Sequence, residues 1–261
     1  MFSRGQVKKI QTKVEGFDLI TGGGLPSASA ILLVGNGPKK LLVRQICWNI
    51  LQAGGRALYG TLDQSADDVR MNMAEYGWDI RHFEATGACR LLDIFSELET
   101  EIGNDSRKPG NKATAVTEAY RARAAQNRMF EAGIRFLPIT GFSRIPSITI
   151  IDSISPLLLA KEEEQPMTLR LLREATRLAK TTGIGLLETD SYERIGKGLV
   201  DSFSDGIVYI NSIVENHSRT DLIEVAKYLG EYKRGVYTLE ADKRGLRIIS
   251  NELPQLNSSA P

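Results

Sequence analysis

Four consecutive apolar residues, Ile31-Leu32-Leu33-Val34, end in Gly35-Asn36-Gly37-Pro38. A run without polar alternation reads as a strand buried on both faces, and the glycine and proline punctuation turns the chain where it ends. A helix follows over residues 40–53, with Leu41, Leu42, Gln45, Ile46, Trp48 and Ile50 at helical spacings before Gly54-Gly55 stops it. Residues 57–62 read as a second strand, and Ser65 ahead of Asp67 and Asp68 starts a second helix with acids at its positive end. The pattern resumes with a β-branched run over 147–152, a helix over 167–181, and strands at 184–188 and 206–211. This alternation predicts an α/β domain whose mainly parallel, twisted sheet is covered by helices on both faces, with Gly35 to Lys40 in the crevice at the carboxyl ends of the core strands.

Two segments depart from the alternation. A polar, turn-rich loop at 103–112 precedes a helix at about 113–132, whose Arg121, Arg123 and Arg128 are balanced by Glu118 and Glu131. Beyond Leu222, residues 223–228, 235–239 and 246–249 read as antiparallel strands at the sheet edge, and 251–261 as a loose tail. The expected organisation is one domain over 1–250, with an inserted loop and helix at about 103–135.

A net charge of +1 gives the whole molecule no bias toward nucleic acid or an anionic membrane. No apolar run approaches the roughly 18 residues that cross a bilayer, and no signal-peptide pattern is present, so a cytoplasmic location is expected. Cys47 and Cys89 lack metal-type spacing and read as buried free thiols. His82 and His217 have no partner at ligand spacing, and Ser153 and Ser155 lie outside any G-x-S-x-G elbow.

Glu15-Gly16-Phe17-Asp18, Gly22-Gly23-Gly24-Leu25-Pro26, Gly77-Trp78-Asp79, Ile151-Asp152-Ser153 and Phe203-Ser204-Asp205 keep one order across nearly the whole chain. In that order they resemble the signatures of the KaiC-like family of the RecA superfamily of P-loop ATPases. There a G-F-D and a G-G-L-P precede the first core strand, a G-W-D follows the second, an aspartate ends the Walker B strand, and an S-D precedes a later one. The resemblance implies a RecA-like three-layer αβα sandwich with antiparallel C-terminal edge strands. It also implies ATP hydrolysis at sites shared between the subunits of a ring.

The phosphate loop departs from that pattern. A G-x-x-x-x-G-K-[ST] loop wraps phosphates in backbone N–H groups, neutralises them with its lysine and holds Mg²⁺ by its hydroxyl. Setting Lys39 on that lysine puts Pro38 on the last glycine, Lys40 on the hydroxyl and Leu33, inside the strand, on the first glycine. The other register puts Lys40 on the lysine, Lys39 on the glycine and Leu41 on the hydroxyl, and is no better. Proline has no N–H to donate, and an ammonium repels Mg²⁺ instead of binding it. Asp63 and Gln64 fall where the family carries adjacent glutamates. Asp63 is one methylene shorter and serves as a base only if the backbone lies closer. Asp152 retains the Walker B carboxylate and would hold a metal only if Mg²⁺ is bound. Lys227-Tyr228-Leu229-Gly230 stands for K-x-R-G, with leucine in place of the arginine that reaches a neighbour's nucleotide.

The resemblance and its departures together imply a homologue with a degenerate Walker A motif: a pseudo-ATPase that serves as a regulatory or assembly protein. Gly35, Asn36, Gly37, Lys39, Lys40 and Asp152 are the candidate nucleotide- or phosphate-binding residues, and Asp63 the candidate base. No cofactor is required on this reading, and ATP or another phosphate ligand would gain little from Mg²⁺. The expected partners are other proteins or further copies of the chain, as a monomer, dimer or nucleotide-independent oligomer. Two alternatives stand beside it. One is a genuine ATP-binding ATPase acting as an accessory factor in recombination, repair or signalling. The other, less favoured, is a nucleic-acid-binding protein that uses the basic insertion and would bind with steep salt dependence.

Overall fold

Side chains alternate across a strand, so an unbroken apolar run needs cover on both faces. A computed structural model, which describes residues 7–96, 146–158, 165–215 and 217–249, supplies that cover. Two short strands, β1 (Lys9–Ile10) and β2 (Leu25–Pro26), form an antiparallel ribbon at the entrance. The parallel strands are β3 (Ala30–Val34), β4 (Ala57–Thr61), β5 (Cys89–Asp93), β6 (Ile148–Asp152) and β7 (Thr182–Leu187), joined by the first part of β8 (Gly206–Glu215). Then β9 (Ser218–Lys227), β10 (Val236–Asp242) and β11 (Gly245–Ile249) extend the sheet antiparallel, giving the order β11-β10-β9-β8-β3-β7-β6-β4-β5.

All five residues of β3 are buried. Ile31 and Leu33 pack with Leu42, Val43 and Ile46 of the helix Lys39–Gln52 on one face. Leu32 and Val34 pack on the other with Leu169 of the helix Gln165–Leu178 and Val200 of the helix Lys197–Phe203. This is the three-layer αβα arrangement of RecA-type domains. Although β3 and β4 are consecutive core strands in the chain, β7 and β6 lie between them in the sheet. The chain leaving β3 therefore crosses above the carboxyl ends of its neighbours, which opens the crevice where α/β sheets place their sites.

The four expected core strands are adjacent, and the C-terminal strands form the antiparallel edge. Their limits differ where polar or small residues disguise them. The strand β8 continues to Glu215 instead of stopping at Asn211 because β9 folds back along it as a hairpin. The strand β7 begins at Thr182, two residues before the apolar run. A Cβ on Gly183 would lie 2.3 Å from Thr176 Cγ2, so glycine there lets the helix Gln165–Leu178 approach the sheet. The edge strand β5, with Arg90 and Asp93 interrupting its pattern, has no counterpart in the sequence reading. Ser65 caps the helix Ala66–Ala74 in a reciprocal capping box with Asp68. Cys47 and Cys89, distant in sequence, are both buried and unbridged. The expected loop at 103–112, the helix at 113–132 with its arginines, and the tail at 251–261 lie outside the described residues.

Asp205, from the S-D signature, fastens one helical layer to β3. Its Oδ2 accepts from Ala30 N–H at 3.1 Å, and its Oδ1 accepts from Arg173 (3.1 Å) and Arg177 (2.9 Å) of the helix Gln165–Leu178. Asp205→Ala leaves the buried Ala30 N–H without its acceptor, while Arg173 and Arg177 keep access to water. It is expected to lower the unfolding free energy by about 1–3 kcal/mol, the cost of a buried donor left unsatisfied, measured by urea denaturation. An unchanged midpoint would show that the clasp contributes nothing.

Candidate functional site at the carboxyl ends of the central strands

The pairing of β3 with β8 ends at Val34 opposite Tyr209, but the chain stays on β8. Gly37 N–H donates to Ile210 O at 2.9 Å, and Ser212 N–H donates to Asn36 Oδ1 at 2.8 Å. Gly35 N–H donates to Leu187 O at 3.1 Å and Lys39 N–H to Gly37 O at 2.8 Å. The loop thus lies along β8 as an irregular continuation of the sheet, with these donors turned to protein carbonyls. At Gly35, φ is 139° and a Cβ would sit 2.0 Å from Ile210 O, so the glycine is needed for this close approach to β8. Pro38 ends the loop just before the helix Lys39–Gln52 and has no N–H to contribute.

The two lysines diverge from the helix start. Lys39 is 3% exposed, and its Nζ donates to Gly35 O (2.5 Å) and to Glu188 Oε2 (2.8 Å), just past β7. Lys40 Nζ lies 2.6 Å from Asp63 Oδ2 and 3.6 Å from Asp152 Oδ1. Lys39 curls back over the loop, and Lys40 stands between Asp63 and Asp152.

Asp152 is fully buried at the end of β6. Its Oδ2 accepts from the Tyr59 hydroxyl (2.6 Å) and from Gln64 Nε2 (3.0 Å), and Arg44 Nη2 lies 4.0 Å away. Gln64 Oε1 in turn accepts from Arg44 Nη2 at 2.9 Å. Burial pushes the Asp152 carboxyl above the usual carboxylate range, against the downward pull of the Lys40 ammonium. Burial, reinforced by Asp152, also holds the Tyr59 hydroxyl well above its ordinary pKa.

The structure brings Lys40, Asp63 and Asp152 into one cluster, and sets Gly35, Asn36, Gly37 and Lys39 beside it on the docked loop. Sequence reasoning missed Arg44, Tyr59 and Glu188. Arg44 had a signal, because it lies four residues beyond Lys40 and so on the same helix face. Tyr59 on β4 and Glu188 just past β7 are brought in from distant parts of the chain and had none. Of the segment standing for K-x-R-G, Lys227 Nζ is turned inward onto the carbonyls of Asp201 (2.5 Å) and Ser204 (2.7 Å), and Leu229 is exposed.

The P-loop fold implies Mg²⁺, and the residues here do not fit it. A cationic side chain, Lys40, lies between the two carboxylates and would repel a dication there. Among the described residues, no three His, Cys, Asp or Glu side chains gather into a group able to hold a metal ion.

Sheet order, loop position and Walker B aspartate together define a RecA-type P-loop ATPase domain. Residues 10–253 match the sequence model of the family described as ATPase: KaiC. A UPF0273 protein of Aeropyrum pernix is 30% identical over 209 residues, covering 78% of each chain. The circadian clock protein KaiC3 of Synechocystis is 24% identical over 251 residues, or 93% of this chain and 46% of KaiC3. For the circadian clock oscillator protein KaiC of Synechococcus elongatus the identity is 22% over 253 residues, or 93% of this chain and 44% of that protein. The chain thus spans less than half the length of these two KaiC proteins. It belongs to the KaiC ATPase family. Among the described residues no helix is long and apolar enough to cross a membrane.

Tyr59→Phe removes one of the two hydrogen bonds to Asp152 Oδ2 without changing the shape of the core. A loss of about 1.5–3 kcal/mol is expected, the range for a bond to a charged group, read as a lower midpoint in urea. A change within error would mean that Gln64 alone satisfies the carboxylate.

Proposed function

We propose that this chain is a KaiC-family protein whose nucleotide site does not sustain ATP hydrolysis, and that it acts as a regulatory or assembly module. The observation that carries the reading is the position of Lys40, ion-paired with Asp63 and beside Asp152. The carboxylate that would serve as base and the one that would hold the metal shell both face an ammonium. Phosphoryl transfer is catalysed by positioning and by electrostatic stabilisation of developing charge. A site with fewer loop donors, no metal hydroxyl and no arginine at position 229 has little of either to offer.

Two further features support this reading. The loop's donors are directed at β8 and β7, and Lys227 is engaged by carbonyls of its own chain. Any nucleotide or other phosphate ligand would then bind through Lys39 and the helix start with little help from Mg²⁺. Partners would be other proteins or copies of the chain, meeting it in a way that does not need ATP.

The test is steady-state ATP turnover by the purified full chain, with and without Mg²⁺, beside a Lys39→Ala control. No turnover above that control is expected. Lys40→Thr alone should not restore it, because Pro38, Leu33 at the first glycine position and Leu229 remain. Turnover of order 1 per second, abolished by Asp63→Asn or Asp152→Asn, would overturn the reading and favour an active ATPase.

A further inference from the structure

Two carboxylates, Asp63 just after β4 and Asp152 at the end of β6, converge on one lysine, and one of their oxygens is left without a hydrogen bond. Asp152 is 0% exposed; its Oδ2 is satisfied by Tyr59 and Gln64, whereas its Oδ1 accepts no hydrogen bond. That Oδ1 faces Lys40 Nζ at 3.6 Å, beyond hydrogen-bond reach, while Asp63 Oδ2 is 2.6 Å from the same atom. An acceptor buried this deeply normally has a donor or an ion within reach. Here the nearest positive charge is the Lys40 ammonium, which lies within ion-pair range of Oδ1 but donates no hydrogen bond to it.

We propose that the Lys40 ammonium is a tethered counter-ion in the position of a divalent cation, and that Asp63 and Asp152 form a latent divalent-cation site which opens when Lys40 is neutralised. This inference rests on the reading that the nucleotide site is degraded at Lys40. Lys40 and Arg44 together balance the two carboxylates, so a dication arriving in the native protein meets a cluster that is already neutral and an ammonium at its centre. Removing Lys40 leaves one net negative charge, with Asp152 Oδ1 uncovered and Asp63 partly open to solvent. Two carboxylate oxygens with water completing the shell are a donor set that hard cations such as Mg²⁺ and Mn²⁺ accept. The tether also changes how the site depends on its surroundings. A diffusible ion would leave at low metal concentration, whereas Lys40 holds the first turn of the helix Lys39–Gln52 against the ends of β4 and β6 at any metal concentration.

The probe is Mn²⁺ alone, titrated into the full chain without nucleotide and followed by the loss of the free-ion electron paramagnetic resonance signal. The native protein, Lys40→Ala, Lys40→Met and the double variant Lys40→Ala/Asp63→Asn are compared. Lys40→Ala is expected to bind Mn²⁺ at least about tenfold more tightly than the native chain, as loss of a like charge beside the ion requires. Lys40→Met should also gain binding, showing that charge, not volume, excludes the metal. The double variant should return toward the native value. If truncation loosens the fold, the same titration read by thermal unfolding still decides, because a site in the folded state raises the midpoint with metal and a missing site leaves it unchanged. Mn²⁺ bound by the native chain as tightly as by Lys40→Ala would overturn the inference. So would Lys40 variants that neither bind Mn²⁺ nor gain thermal stability from it. Mn²⁺ binding by the native chain without ATP turnover would remove this inference alone, whereas native ATP turnover would remove the proposed function.

Discussion

The burial of β3 on both faces is the constraint from which the rest of the architecture follows. A strand with no polar side chain over five residues cannot face water on either side. It must have parallel neighbours at both edges, which β7 and β8 provide, and a helical layer above and below. Once those neighbours are fixed, the chain leaving Val34 has only the carboxyl ends of β7 and β8 to run over. The loop's place in the crevice is thus a result of core packing, independent of any ligand.

The helix that begins at Lys39 has no acidic residue in its first turn and two lysines at its start, an arrangement that a helix N-terminus opposes. Elsewhere a bound phosphate commonly answers the positive end of a helix in this position. Here carboxylates of the protein itself do so: Glu188 from the end of β7, Asp63 after β4 and Asp152 from the end of β6. Lys40 and Arg44, four residues apart, project from one helix face toward the latter two, so the charges are matched within a single layer of structure. Because the Lys40 pairs are partly open to water, their contribution to stability is modest. Their main effect is to set which groups remain available.

Much of this was legible in the sequence, for identifiable reasons. The unbroken apolar run 31–34 and the β-branched run 148–151 carry their own signal, and glycine pairs and serine caps mark helix limits locally. The altered residues Pro38, Lys40 and Leu229 could be read because the family pattern supplied positions to compare. The partners of those residues could not be read. Glu188 lies 149 positions from Lys39, and Tyr59 lies 93 from Asp152. Charge pairing across a sheet depends on strand order, which no local window contains. Gly35 and Gly37 show the converse case. As letters they fit a phosphate cradle, yet in the fold the carbonyl of Ile210 alone is reason enough for them.

The docking of the loop on β8 has a consequence for anything that would bind at the crevice. Gly37 N–H and the Asn36 side chain form part of the sheet, so the resting chain presents a closed edge instead of an open cradle. A ligand that needs those groups binds only the fraction of molecules in which the loop has lifted from β8, and its apparent affinity falls in proportion to that fraction. Recognition at this end of the domain is therefore governed first by how firmly residues 35–38 hold to their neighbouring strand, and only second by the charges around them.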